Sequence, residues 1–187
     1  MDIYLIRHTR LQNAEGLCYG RTDIPLGPDF ALEAEQVKNK LGPLECPRVY
    51  SSPSLRCRSL GEYLNPGSIH ISPALGELDF GSWEGKLWTS IPKEEIEFWS
   101  HNILDVPPPR GESLQGMMNR ALPFLEGLLG QKGTDIVLIT HAGPIRVILS
   151  HLLKKGPQDM FAIPVGFGSN SKLNCCDGKA EVTFVNR

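Results

Sequence analysis

The sequence has no excess of charge of either sign: Lys+Arg number 19 and Asp+Glu 21, a formal net charge of −2 with His neutral. So balanced a chain offers no basic face to nucleic acid or to an anionic membrane, and any anion it binds must be recognised locally. No stretch approaches the roughly 18 consecutive apolar residues of a membrane-crossing helix. Met1-Asp2-Ile3-Tyr4-Leu5-Ile6-Arg7 lacks the basic start and apolar core of a secretory leader. A cytoplasmic protein without nucleic-acid or membrane partners is expected. Metal signatures are missing too, with no H-E-x-x-H, no D-x-D and no P-loop, so neither a metal nor a cofactor is expected. The 5 cysteines, Cys18, Cys46, Cys57, Cys175 and Cys176, form an odd set without a C-x-x-C pair, which argues against a disulfide framework or a zinc ribbon. Cys175 and Cys176 read as neighbours on one strand, facing opposite ways. Repeats, low-complexity tracts and linkers are absent, and nothing in the sequence sets an oligomeric state.

What is present is a globular composition, 41% hydrophobic and 21% charged, over 187 residues. A chain of this length buries about 70% of its unfolded surface, enough for one core, so a single domain over residues 1–187 is expected. The 19 glycines and 15 prolines announce many loops. Ile3-Tyr4-Leu5-Ile6 and Ile136-Val137-Leu138-Ile139 are short, unalternated apolar runs of the kind found in strands covered on both faces. Arg48-Val49-Tyr50-Ser51 and Ile69-His70-Ile71 read as shorter strands. Helical patterns cover Phe30 to Leu41, Ser54 to Leu64, Ser113 to Leu129 and Pro144 to Leu153, with a kink or break expected at Pro123. Leu173 to Cys176 and Glu181 to Val185 flank the turn pair Asp177-Gly178 and predict a terminal hairpin. Strands alternating with helices predict an α/β fold, a three-layer α/β/α sandwich on a mostly parallel, mixed sheet with one antiparallel strand. The stretch from Pro73 to Arg110 resists regular assignment, a short helix from Lys93 to Ser100 aside. Insertions of that kind usually cover a site.

Ligands of open α/β sheets bind at the carboxyl ends of the strands. There the first strand ends in Arg7-His8, the Arg48 strand leads through Ser51-Ser52-Pro53 to Arg56, and the Ile136 strand ends in Thr140-His141. Four potentially cationic groups in one crevice suit an anion, and the fork of Arg matches the oxygens of phosphate. A neutral His8 carries a lone pair for nucleophilic attack on phosphorus, while Arg7, Arg56 and His141 can neutralise the phosphoryl oxygens. The leaving oxygen needs a proton, and a phosphate pressed on a carboxyl favours its protonated form. Glu77 in Leu75-Gly76-Glu77-Leu78-Asp79-Phe80-Gly81 is the leading candidate acid and Glu112 the second, although Gly111-Glu112-Ser113 also suits a helix N-cap.

The motif Leu5-Ile6-Arg7-His8-Thr9 resembles the R-H-G or R-H-T signature of the histidine phosphatase superfamily, which includes the cofactor-dependent phosphoglycerate mutases. Four further blocks resemble that family in order: Ser51 to Arg56, Glu77 with Trp83-Glu84-Gly85, Gly111-Glu112-Ser113, and Thr140-His141-Ala142-Gly143. The resemblance implies a six-stranded mixed sheet and metal-independent chemistry. It makes His8 the phosphorylated nucleophile, Arg7, Arg56 and His141 the phosphate pocket, and Glu77 the proton donor. Within the superfamily, Gly16 to Leu26 is similar to the loop after the catalytic histidine of bacterial alpha-ribazole phosphatases. That similarity implies dephosphorylation of alpha-ribazole 5′-phosphate in cobalamin biosynthesis, with Tyr19, Gly20 and Arg21 bordering the leaving group. Asn13 lies one position closer to His8 than the Asn usual in mutases and is a further candidate substrate contact. Thr9 and Arg10 stand where many members have Gly and Glu. The alternatives are a broad-specificity sugar phosphate or nucleotide phosphatase, a small phosphoglycerate mutase, and a catalytically silent phospholigand-binding module. Intact His8 and Glu77 argue against the last, and the modest length favours a phosphatase. Trp83, Trp88 and Trp99 either wall a flat base or pin the irregular segment to the core.

Overall fold

The computed structural model describes residues 1–65, 68–131 and 133–187. Six strands, β1 (Asp2–Arg7), β2 (Arg48–Ser51), β3 (Ile69–Ile71), β4 (Ile136–Thr140), β5 (Asn170–Cys176) and β6 (Lys179–Phe184), form one sheet in the order β3-β2-β4-β1-β5-β6. The first four are parallel, while β5 is antiparallel to both β1 and β6. The hairpin turns through Asp177 (φ 51°) and Gly178 (φ 73°), the paired positive dihedrals that a two-residue turn between twisted strands requires.

Alternation along each strand assigns the helices to layers. Ile3 and Leu5 of β1 and Ile136 and Leu138 of β4 pack with Leu125 and Leu128 of α4 (Leu114–Leu129) and with Ile145, Ile148 and Leu149 of α5 (Ala142–Leu152). On the opposite face Tyr4, Ile6, Val137 and Ile139 pack with Ala34 and Val37 of α1 (Phe30–Leu41) and with Cys57 and Leu60 of α2 (Leu55–Leu64). Every residue of β4 is buried, as a strand covered on both faces must be. Cys175 is buried and Cys176 exposed, as their alternation on β5 requires.

Two expectations change. Helix α4 runs unbroken through Pro123: that residue and Asn119, whose carbonyl would have received the missing N–H, are both exposed, so water meets the orphaned acceptor. Helix α5 starts at Ala142 rather than Pro144, with His141 as its N-cap, which frees the Gly143 N–H for a partner outside the helix. The segment between β3 and α4 folds as short 3-10 turns at Pro73–Leu75, Gly81–Trp83 and Trp88–Ser90, followed by α3 (Lys93–His101). Trp83, Trp88 and Trp99 meet one another and Phe80 at ring separations of 5.3–6.3 Å. The tryptophans therefore pin this segment together. No helix among the described residues is long and apolar enough to cross a membrane.

Candidate active site

Strands β2, β4 and β1 are adjacent and parallel, so their carboxyl ends open side by side, with Arg7 in register with Thr140 and Ser51 with Ile139. Two more ladder bonds continue past the strands, from His8 N to Thr140 O (3.1 Å) and from Ser52 N to Ile139 O (2.9 Å). The sheet thus carries His8, Ser52 and His141 into one crevice, and the first turn of α2 adds Arg56. His8 is 2% exposed, Arg56 and His141 are 0%.

Hydrogen bonding sets the protons on both imidazoles. The backbone oxygen of Thr9 can only accept, so His8 Nδ1 (2.7 Å away) carries the hydrogen and Nε2 is left with its lone pair. Arg56 Nε donates to His141 Nδ1 at 3.2 Å, so the hydrogen of His141 sits on Nε2, which donates to Ser52 Oγ at 2.8 Å. The two rings lie 5.2 Å apart, edge to face. Burial, followed by the Arg56 charge, pushes the pKa of His8 well below its ordinary 6.5; burial, followed by His8, does the same to His141. Both are neutral at neutral pH, and what His8 has left to offer is the nitrogen lone pair on Nε2.

Arg56 is fully enclosed and held by backbone carbonyls: Nη2 donates to Gly20 O (2.5 Å) and Nη1 to Thr22 O (3.0 Å), with Asp23 Oδ1 3.9 Å away. Gly20 has to be glycine, because a Cβ there would lie 1.7 Å from the Leu78 oxygen. Tyr19 is half-buried, with its ring 5.4 Å from the Arg56 guanidinium carbon. Arg7 Nη1 donates to Val165 O at 2.7 Å, and its guanidinium lies 3.7 Å over the Phe167 ring. Its Nε is buried without a partner among the described residues, a donor ready for an anion.

Glu77 comes from the irregular segment and meets the start of α5. Its carboxylate accepts from Leu78 N (3.0 Å) and from Gly143 N (3.3 Å). A Cβ on Gly143 would fall 2.1 Å from Glu77 Oε1, so the glycine makes the room in which this carboxyl stands. The backbone that carries Glu77 is held by Arg120, which sequence reasoning did not single out. Arg120 Nη1 donates to Gly76 O (2.7 Å) and Ala74 O (2.9 Å), and Nη2 to Glu77 O (3.0 Å). Its Nε and Nη2 also grip Glu112 at 2.7 and 2.8 Å. Desolvation raises the Glu112 pKa, but the hydrogen bond and charge of Arg120 together with the charge of Arg21 turn the net shift downward. Glu112 is therefore an ionised ion-pair partner, a poor fit to a second acid, while the neighbouring Ser113 caps α4 through Gly116 N.

The remaining candidates spread outward. Arg21 Nη2 lies 3.5 Å from Glu112 Oε2, and the Arg21 amide donates to Glu84 Oε1 at 2.8 Å. Glu84, which the sequence offers only as part of a family block and without a role, ties the amides of Arg21, Thr22 and Phe80 together. Asn13 is exposed in a left-handed turn (φ 52°). Arg10 pairs with Glu33 of α1 at 2.5 Å. Arg120 and Phe167 are the participants that sequence reasoning missed, while the sequence places Ser52 at its strand end without a role. Only Phe167, between Gly166 and Gly168, carried a local signal, and Arg120 carried none. No group of three or more metal-ligating side chains occurs among the described residues.

The sequence profile described as histidine phosphatase superfamily (branch 1) matches residues 3–187. The adenosylcobalamin/alpha-ribazole phosphatase of Salmonella typhimurium is 25% identical over 194 residues, covering 100% of this chain and 96% of that protein. The crystal structure of the alpha-ribazole phosphatase from Shigella flexneri shares the fold, with a TM-score of 0.88 at 24% identity over 100% of this chain and 96% of that one. A phosphoglycerate mutase from Thermus thermophilus is 31% identical with a TM-score of 0.76, covering 100% of this chain and 99% of that one. With a profile match over nearly the whole length and histidines and arginines converging at three parallel strand ends, the chain belongs to the histidine phosphatase superfamily, branch 1.

Proposed function

We propose that the chain is a metal-independent phosphomonoesterase acting through phosphohistidine. The observation that carries this reading is the His8 tautomer: Nδ1 is committed to Thr9 O, and Nε2 is free among Arg7, Arg56 and His141. His8 Nε2 attacks phosphorus in line, the bond from phosphorus to the ester oxygen breaks, and Glu77 gives its proton to the departing oxygen. Water then attacks the phosphohistidine, Glu77 takes the water proton, and inorganic phosphate leaves with His8 neutral again. Arg7 and Arg56 neutralise the charge that collects on the equatorial oxygens.

The substrate in this reading is alpha-ribazole 5′-phosphate, supported by the Gly16 to Leu26 loop and by the Salmonella typhimurium relative. A second reading, phosphoglycerate mutase activity, draws on the Thermus thermophilus relative. Activation by a bisphosphorylated cofactor separates the two, because a phosphatase releases inorganic phosphate without one. The mechanism is tested by acid-quench labelling with a phosphorylated substrate in the presence of EDTA. The unaltered protein is expected to accumulate acid-labile phosphate and His8→Ala none; label persisting in His8→Ala overturns the assignment. A panel of alpha-ribazole phosphate, sugar phosphates and nucleotides tests the substrate.

A further inference from the structure

The nucleophile candidate is almost sealed. His8 is 2% exposed, and the half-buried ring of Phe167 stands over it with the ring centroids 5.5 Å apart and tilted by 58°. One face of that ring carries the Arg7 guanidinium at 3.7 Å. The backbone on either side is fixed: Gly166 N donates to Asn186 Oδ1 (2.6 Å), Gly168 N to His8 O (3.1 Å), and Lys40 Nζ donates to Gly168 O (3.2 Å). Gly168 holds a left-handed φ of 61° that suits glycine. The ring is therefore a fixed aromatic neighbour of the nucleophile candidate, half-buried beside it.

We propose that Phe167 is a specificity-determining residue: its ring is the surface on which the carbon skeleton beside the ester oxygen lies, so the site selects phosphomonoesters whose leaving group presents a flat or apolar face over small polar ones. The inference rests on the phosphomonoesterase reading and deepens it. A phosphate oxygen that satisfies the buried Arg7 Nε stands next to the ring on which that guanidinium lies, which brings the first atoms of the leaving group against the aromatic edge or its open face.

The test compares kcat/KM for 1-naphthyl phosphate and glycerol 2-phosphate in the unaltered protein, Phe167→Ala and Phe167→Leu, with melting temperatures alongside. Differences in leaving-group acidity cancel when each variant's ratio of the two esters is divided by that of the unaltered protein. Phe167→Ala is expected to lower that ratio about three- to tenfold and Phe167→Leu by less, as loss of one aromatic contact does. If Phe167→Ala is too unstable to assay, Phe167→Leu decides. An equal loss on both esters overturns the inference and leaves the ring a support for Arg7 alone. Turnover of neither ester by the unaltered protein overturns the phosphomonoesterase reading and the inference with it.

Discussion

The floor and the cover of the crevice are built by opposite means. On the floor, His8, Ser52 and His141 follow directly from three adjacent parallel strands, and ladder bonds extended past the strand ends fix their register. In the cover, between β3 and α4, position is set by side chains that gather backbone groups, with Arg120 collecting the oxygens of residues 74, 76 and 77 and Glu84 collecting amides. Glycines close the cover on itself: a Cβ at Gly81 (φ 52°) would lie 2.3 Å from the Pro109 oxygen, and one at Gly111 2.3 Å from the Asp79 oxygen. A floor made by the sheet holds its groups through hydrogen bonds that any sequence can form. A cover of this kind holds Glu77 through a few particular residues, so single changes there are expected to move the carboxyl while leaving the histidines in place.

The largest separation between the two regions is expected from Arg56→Met. It removes the donor to His141 Nδ1 and the buried guanidinium that the phosphomonoesterase reading sets against the phosphoryl oxygens, and kcat/KM should fall about 10³-fold or more. A fall below tenfold would show that the floor does not organise the phosphate. Gly143→Ala probes the seam, where the new methyl would occupy the place of Glu77 Oε1. Alanine favours a helix over glycine, so melting temperature should hold while kcat drops about 10²-fold, the scale of a lost acid and base. Unchanged kcat would free Glu77 of that role. Arg120→Met should lower stability by about 3 kcal/mol, because it strands Glu112 and three carbonyls, and should reduce kcat by about tenfold; denaturant melts and steady-state rates separate the two effects.

The smallest effect concerns pH. His8 and His141 stay neutral in the folded protein, whereas in the unfolded chain they take up protons as pH falls through about 6.5. Their burial therefore costs nothing at pH 7.5, and stability is lost progressively as pH drops below 6.5 toward the depressed native values. Denaturant midpoints at pH 7.5 and 5.5 measure the loss, and His8→Asn should flatten the slope. A stability curve level through this window would contradict the neutral buried pair. In the phosphohistidine reading, the depressed pKa of His8 extends its nucleophilic form below pH 6.5, so kcat/KM should not fall there through its protonation.

The same division decides what is legible in the sequence. Arg7-His8, Ser52 and Thr140-His141 follow apolar runs that read as strands, and parallel pairing converts that position into spatial convergence. The hairpin at Asp177-Gly178 is legible because a turn pair dictates its own dihedrals. In the cover no period exists to read. Glu112 looks like a second acid because its partner, Arg120, lies two helical turns on, and pairing of that kind leaves no local pattern. The tryptophans offer two readings that only their mutual contacts decide. Pro123 misleads because the cost of proline in a helix depends on whether the orphaned carbonyl reaches water.

The place of β1 between β4 and β5 governs the order in which this molecule can assemble. The bond from Asp2 N to Asp135 Oδ1 spans 133 residues, and the Met1 amino group reaches the Cys175 oxygen across 174. The strand that carries Arg7 and His8 pairs with its neighbours only after these long loops have closed against their entropy. A chain in which β4 has not yet joined β1 holds His8 on an unpaired strand, without its Thr140 anchor. Any activity that uses His8 therefore waits on these long-range pairings, and refolding should recover activity no faster than it recovers the full sheet.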